Sequence, residues 1–535
     1  MADSIAPVEL TRRQLLVGSA AAALAVWAGC TDDDEGGGEA GAGTTTTRPP
    51  PELDGESFSL GVASGDPRSD SVILWTRLAP DPLAPDGLGG MPDTDVDVAW
   101  EVATDGSFED IVASGVAVAE PGHAHAIHAE ATGLAAGTDH HYRFRLGDRL
   151  SPAGRTRTLP TGSPDRFGLA VVNCQWFELG QYGAYRHLLE EGADVDLVLH
   201  LGDYIYEFPG AGSGARTTVP TKQLETLTDY RLRYASYRMD EHLRAAHARY
   251  PFVLTWDDHE VSNNYSGAGL KELPGDTAAL EARQTAAYQA WWESLPVRVA
   301  PPTGPALEVH QHLDAGDLAR IYLLDQRQYS DVPPCRDADP AAADLGDCDE
   351  RNDERTFLGE AQEAWFAEVS DASPATWNLI GNPVVLAGVD GGNTTDGAAY
   401  YLDSWDGYPT ARHRFIDQLA RISNPVVLTG DYHAGMLLDV HERPFEEGSP
   451  LVAPELMAPP ISSALFPDDV SARTPQLRHQ INGHGYLKVE VTPSAVAASF
   501  QVLDDVQDVD SSITTRLRVS IAAGSPDATV EDVSP

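Results

Sequence analysis

The chain has 535 residues, 42% of them apolar, which is enough for two or three domains with full cores. Its 82 acidic residues against 36 basic ones give a formal charge of −46. That balance excludes a nucleic-acid-binding groove and simple adhesion to anionic lipid, and it requires local cations at any site for an anionic substrate.

Residues 1–30 read as an export signal. Thr11-Arg-Arg-Gln-Leu-Leu16 is a twin-arginine pattern, and the apolar run Val17–Val26 is too short to span a bilayer. Ala28-Gly-Cys30 resembles a lipoprotein processing site, which makes Cys30 the candidate for lipidation. The twin-arginine machinery is therefore an expected partner. It carries folded cargo, as a protein loaded with metal before export requires. The expected location is outside the cytoplasm, either as a cell-surface lipoprotein or as a secreted or periplasmic protein. Membrane contact is expected only through the N-terminal lipid. Residues 31–52, mostly Asp, Glu, Gly and Thr before Arg48-Pro-Pro-Pro51, read as a flexible linker.

Residues 53–161 have an all-β pattern. Ser71–Leu78, Val96–Ala103, His125–Ala131 and His141–Leu146 are strand-like runs separated by Gly, Asp and Pro turns. Leu134–Phe144 resembles a corner of fibronectin type III domains. The histidines at 123, 125, 128, 140 and 141 have few carboxylates near them and read as solvated, not as ligands.

After Thr161 strands and helices alternate. Strands are expected at Arg166–Val172, Val195–Leu201, Ala319–Leu324, Trp377–Ile380, Pro425–Thr429, Tyr486–Val491 and Ala497–Leu503. Helices are expected at Tyr182–Glu191, Leu224–Arg249, Ala278–Glu293 and Gly359–Val369. Cys335 and Cys348, close together in an Asp-, Pro- and Ala-rich loop, are expected to form a disulfide. Cys174 is left unpaired. From about Asp504 the chain turns acidic, and residues 511–535 read as a tail, with Thr514–Ile521 as a possible further strand or covering segment.

Four apolar runs end in turns rich in metal-ligand residues: Val171-Val-Asn-Cys-Gln175, Leu199–Glu207, Leu254–Asn264 and Val427–His433. Four such turns suggest a polynuclear site above the carboxyl edge of a sheet. Gly202 permits a tight turn, Asp203 can bridge two cations, and Tyr206 lies three residues on. Asp431 and His433 flank one residue, so an extended backbone would place them on one side. In Trp256–Glu260 carboxylates surround His259, with Asn263 and Asn264 beyond; these oxygen donors suit calcium, and His259 could protonate a leaving oxygen. Arg327, ending the run Leu324–Tyr329, is a candidate phosphate clamp. One thiol, one phenol, many oxygens and few imidazoles favour iron with calcium over a zinc pair.

Together these motifs resemble the PhoD family of alkaline phosphatases, within the metallophosphoesterases. Phe58–Pro67, Val72–Arg77, Phe357–Trp365, Asp403–Pro409 and Glu455–Ser463 resemble family segments too, so the likeness runs from about residue 57 to 503. It implies an α/β fold: a metallophosphoesterase-type β-sandwich core flanked by helices at 162–510, preceded by an all-β fibronectin type III-like domain at 53–161. It implies one ferric ion (Fe3+) held by Cys174, Asp203, Tyr206 and His433, and two calcium ions (Ca2+). Asp203 would bridge to calcium, joined by Asp431 and an amide from Asn263 or Asn264, with Asp258 a weaker candidate. His259 and Arg327 would face the phosphate. Ile380-Gly-Asn-Pro383 departs from the Gln-rich sequence of many relatives, which gives Asn382 no supported substrate role. The implied activity is metal-assisted hydrolysis of phosphate esters. The alternatives are a phospholipase D-like or teichoic-acid phosphodiesterase and, less in keeping with the donor set, a non-catalytic phosphate- or glycan-binding lipoprotein.

Overall fold

Strand-length runs that are buried on every residue, such as Phe167–Val172 and Leu197–Leu201, need partners on both faces. The computed structural model supplies them. It describes residues 48–208, 216–267, 269–270, 276–335, 345–392, 399–466 and 469–533. The signal, Cys30 and most of the linker lie outside these residues. Among the described residues no helix is long and apolar enough to cross a membrane.

Two large sheets stack face to face. The first has ten strands, in the order Ala528–Val533, Ile513–Ala522, Ala495–Leu503, Gly485–Val491, Phe167–Val172, Leu197–Leu201, Pro251–Thr255, Val62–Gly65, Ser71–Arg77 and Ala126–Thr132. The second has seven: Gln311–Ala315, Ala319–Leu323, Trp377–Asn382, Pro425–Thr429, Leu451–Met457, Gly435–His441 and Leu477–Ile481. Successive side chains alternate between faces. Leu169, Val171, Leu197 and Leu199 therefore meet Ile321, Leu323, Leu379 and Leu428 in one central core. Their neighbours Ala170, Val172 and Val198 pack outward on Tyr185, Leu188, Tyr234 and Trp291, from the helices Gly183–Glu191, Leu227–Arg238 and Thr277–Ser294. On the far side Tyr322, Ile380 and Val427 meet Phe366, Phe415 and Ile416, from the helices Gly359–Asp371 and Pro409–Leu419.

The centres of both sheets are parallel. Phe167–Val172, Leu197–Leu201 and Pro251–Thr255 run together, as do Ala319–Leu323, Trp377–Asn382, Pro425–Thr429 and Leu451–Met457. Their carboxyl ends, and every candidate turn, thus lie along one edge of their sheet.

Several expectations need correction. Leu224–Arg249 is two helices, because Asp240 caps a new one, Glu241–Arg249, with its carboxylate on the His242 and Leu243 N–H groups. The division at residue 161 does not separate sheets. Val62–Gly65 pairs in parallel with Pro251–Thr255, so the first strands extend the ten-stranded sheet. The rest of residues 53–161 forms a five-stranded sheet that shares a core with those strands through Val98, Val102, Tyr142 and Phe144. Residues 511–535 are not simply a tail: Ile513–Ala522 and Ala528–Val533 are strands, with Leu517, Val519 and Ile521 buried. Alternating apolar residues there outweigh the acidic composition. Of the histidines read as solvated, His125 and His140 are buried, and His128 stacks on Trp292 while lying 2.9 Å from the Leu295 carbonyl. Cys335 and Cys348 are joined, with their Cα atoms 6.2 Å apart.

Candidate functional site

Each ligand-bearing turn follows directly from a parallel strand, and its backbone is unusual. Cys174, Asp203, Asn264, Asp431 and His433 all have φ between 50° and 66°. Left-handed backbone costs a non-glycine residue on the order of 1–3 kcal/mol and clusters at functional sites. Gly202, at φ 94°, precedes Asp203; a Cβ there would lie 2.5 Å from the Asp257 backbone nitrogen. The turns are tied together by Glu260, which is buried and accepts N–H groups from Tyr204 at 2.7 Å, Asp203 at 3.2 Å and Asp257 at 3.0 Å.

Two ligand clusters result. Cys174, Asp203 and His433 present ligand atoms within 4.8 Å of one another. Tyr206 Oη donates to Asp203 Oδ2 at 2.7 Å and lies 3.1 Å from His433 Nε2. Ser463 Oγ lies 2.7 Å from the same phenol and donates to the Cys174 carbonyl at 2.7 Å. The second cluster joins Asp257, Asp258 and Asp431, again within 4.8 Å, and Asp203 also groups with Asp258 and His259. Asp431 and His433 were expected to project together from extended backbone. The left-handed turn instead gives Asp431 to one cluster and His433 to the other.

A pocket of about 380 Å³ opens above, lined by Asp203, Asp258, His259, Asn263, Asn264, Asp431 and His433, with Tyr401, Tyr432 and Phe466 on its apolar side. His259 Nδ1 lies 2.7 Å from Glu207 Oε2. Asn264 N–H donates to Asp258 Oδ2 at 2.6 Å, and Asn263 N–H to Glu207 Oε1 at 2.8 Å.

Arg327 is placed differently from a simple clamp at the pocket wall. Its guanidinium is 2% exposed and donates through Nε to Asp257. Asp403 lies 3.3 Å from Nη1, and Asp258 and Asp431 lie 3.7 and 3.8 Å from Nη2. Among the described residues Nη2 makes no hydrogen bond. Asn382 is spent in the core, on Gln326, Val384 and Trp405.

The electrostatics suit cations. Burial, then Asp203, Asp431 and Asp257, push the Cys174 thiol up. Burial, then Asp203 and Cys174, do the same to the Tyr206 phenol. Asp431 is raised by burial and by Asp257 and Asp403. Asp257 is pushed up to about 7 by burial, against the pull of Arg327. Asp203 Oδ1 and Asp257 Oδ2 are buried without a hydrogen-bond partner. Acids that raise one another, with unsatisfied oxygens among them, fit the donor set of a multi-cation site.

Sequence reasoning counted Asp257 and Glu260 only among the oxygen donors around His259, and assigned no role to Glu207, Asp403 or Ser463. All five stand inside stretches already singled out, but lie next to more conspicuous ligand types.

The family model described as PhoD-like phosphatase matches residues 169–500, and that of the PhoD-like phosphatase N-terminal domain matches residues 43–160. Alkaline phosphatase D of Bacillus subtilis (strain 168) is 41% identical over 476 residues, covering 86% of this chain and 80% of the relative. A solved structure of PhoD superposes with a TM-score of 0.83 at 37% identity, covering 91% of this chain and 94% of that one. The chain belongs to the PhoD-like phosphatase family and is a phosphoric ester hydrolase of the alkaline phosphatase D type.

Proposed function

We propose that the two clusters hold one ferric and two calcium ions, and that the protein uses them to hydrolyse phosphomonoesters, phosphodiesters or both. The observation that carries this reading is the convergence of Cys174, Asp203 and His433 within 4.8 Å, with the Tyr206 phenol bonded to Asp203. A thiol and a phenol together favour a trivalent, oxidised metal, so Cys174, Asp203, Tyr206 and His433 would be the iron ligands. Asp203 would also serve calcium, together with Asp431, an amide of Asn263 or Asn264, and Asp258 more weakly. Asp257 joins these oxygen donors on the strength of its place in the carboxylate cluster.

Cations held by these residues would supply positive charge for the phosphoryl oxygens and for a water nucleophile. The chain's own residues do the rest. Glu207 fixes the His259 ring through Nδ1, so that Nε2 gives a proton to the departing alcohol oxygen. Arg327 Nη2, which makes no hydrogen bond among the described residues, would keep a donor for a phosphoryl oxygen. The left-handed turns hold the ligands without rearrangement.

For residues 53–161 we keep the fibronectin type III-like reading, supported by the five-stranded antiparallel sheet that shares one core with the strands Val62–Gly65, Ser71–Arg77 and Ala126–Thr132 of the ten-stranded sheet, and for the catalytic part the metallophosphoesterase-type sandwich. Export by the twin-arginine route, with lipid on Cys30 as an anchor, remains the proposal for residues 1–30.

Elemental analysis beside paired assays on 4-nitrophenyl phosphate and bis(4-nitrophenyl) phosphate tests the reading. Cys174→Ala is expected to lose iron and turnover together. Retained turnover with a normal iron content would overturn the ligand assignment.

A further inference from the structure

The helix-covered face of the ten-stranded sheet holds a buried cation that the catalytic site does not use. Arg238 ends the helix Leu227–Arg238, is 1% exposed, and lies over the Trp75 ring at 4.5 Å from its centroid. Among the described residues it makes no ion pair, and its Nε and Nη2 make no hydrogen bond. The other buried arginines of that helix are occupied. Arg231 pairs with Glu293 at 2.6 Å, and Arg233 donates to the Tyr206, Phe208 and Pro220 carbonyls. Asp240, two residues beyond Arg238, is taken by Arg216 at 2.5 Å and by the helix cap that it forms. The Trp75 ring face offsets only part of the cost of burying an unpaired guanidinium.

Two histidines beside it also lack partners. Arg238 Nη1 lies 3.5 Å from Tyr204 Oη, which lies 2.9 Å from His247 Nε2. A guanidinium can only donate, so the phenol accepts from Arg238 and gives its own proton to His247 Nε2. The His247 proton is then on Nδ1, which makes no hydrogen bond among the described residues. His200, whose ring centroid is 5.1 Å from that of Tyr204, has neither nitrogen bonded among them. It faces the same side as Phe252, since Val198 pairs with Phe252 and residues two apart share a face. His247 stacks on Phe252 at 3.8 Å. Burial keeps both imidazoles neutral. It holds His200 down to about 3 against the pull of Asp203, and with Arg238 and His200 it holds His247 well below its ordinary value. Each ring thus offers one N–H.

Donors around one fixed positive charge match an anion. Water could accept from them but would leave the charge uncompensated. One guanidinium balances one negative charge, and the neutral rings add none, so a monovalent ion fits where a phosphate or sulfate dianion does not.

We propose that Arg238, His247 and His200 bind one chloride ion inside the protein, behind the turn that carries Asp203. The proposal is independent of the phosphatase assignment. Tyr204 joins the two places, because it follows Asp203 and its N–H donates to Glu260 at 2.7 Å.

Crystals of the metal-replete wild type grown in sodium bromide give the first test. An anomalous bromine peak within hydrogen-bonding distance of Arg238 Nε or Nη2 is expected. Density there that refines as water, with no anomalous signal, overturns the proposal. Thermal melts in sodium chloride and in sodium methanesulfonate, at equal calcium, give the second. Wild type is expected to melt about 2 °C or more higher in chloride, by a margin that grows with concentration, and Arg238→Gln to lose that margin. Equal melting of wild type in the two salts overturns the proposal, and so does the same margin in Arg238→Gln, which would mark a general salt effect. Should the variant fail to fold, the bromide map of the wild type decides alone.

Discussion

Glu207 Oε2 lies 2.7 Å from His259 Nδ1, and both side chains are buried beside the pocket. The other oxygen of Glu207 accepts the Asn263 N–H, so the carboxylate is held from two sides. Burial disfavours charge on His259, but Asp258, Asp203 and Glu207 outweigh it and hold the ring's pKa well above its ordinary value. A general acid is worth about 10²–10⁴-fold, so His259→Ala is expected to lower kcat by that much. Glu207→Gln keeps the shape and weakens the orienting bond, and is expected to lower kcat about 10–100-fold. Steady-state rates at equal metal content check both. An unchanged kcat in Glu207→Gln would end the orienting role.

Arg327 carries one positive charge against four neighbouring carboxylates. Removing it leaves buried negative charge uncompensated wherever no cation is bound. Arg327→Met is expected to destabilise the chelator-stripped protein by about 3–5 kcal/mol relative to stripped wild type. Excess calcium should recover most of that loss. Thermal melts with EDTA and with calcium measure it, and an equal loss in both conditions would contradict the charge argument.

Asp229 closes a capping box with Thr226 at the start of the helix Leu227–Arg238 and pairs with Lys222 at 3.0 Å. Burial raises its pKa, but Lys222 and the Thr226 groups outweigh that, so the folded value is lowered. The sign follows from linkage. The stabilisation is fully present above the unfolded carboxyl value, about 3.9, and is lost as pH falls through the lower folded value. The Tm difference between wild type and Asp229→Asn is expected to be constant from pH 5 to 7 and to shrink below about pH 4. A difference that widens on acidification would refute it.

Truncation after Asp510 removes both carboxyl-terminal strands. Leu517, Val519 and Ile521 are at most 1% exposed, and burial of such side chains is worth about 1.5–3 kcal/mol each. The Ser511 carbonyl, which accepts from Arg186, goes with them. The truncated protein is expected to be insoluble or to melt far below the full chain. A fragment 1–510 as stable as the whole would return this segment to the status of a dispensable tail.

The candidate turns were legible in the sequence because a buried parallel strand is almost wholly apolar, which makes the donors just after it conspicuous. Cys174, Asp203, Asp431 and His433 stand out in this way. Asp257 did not: it sits beside Asp258 and His259, and only the backbone decides which neighbour points where. Glu207 and Ser463 act through Oε2 and Oγ contacts with residues distant in sequence, His259 and Tyr206, and such pairings leave no periodic signature. The strand Val62–Gly65 was likewise unreadable as part of the catalytic sheet, since its parallel partner begins at Pro251. At the carboxyl end, composition misled where alternation was informative.

That shared sheet bears on how the protein is made. A ribosome releases residues 62–65 long before residues 251–255 exist, on the order of 10–40 s at ordinary elongation rates. Phe167–Val172 waits longer still, for Gly485–Val491. The nascent chain thus carries unpaired strand edges through most of its synthesis, and the amino-terminal module cannot mature as an independent bead.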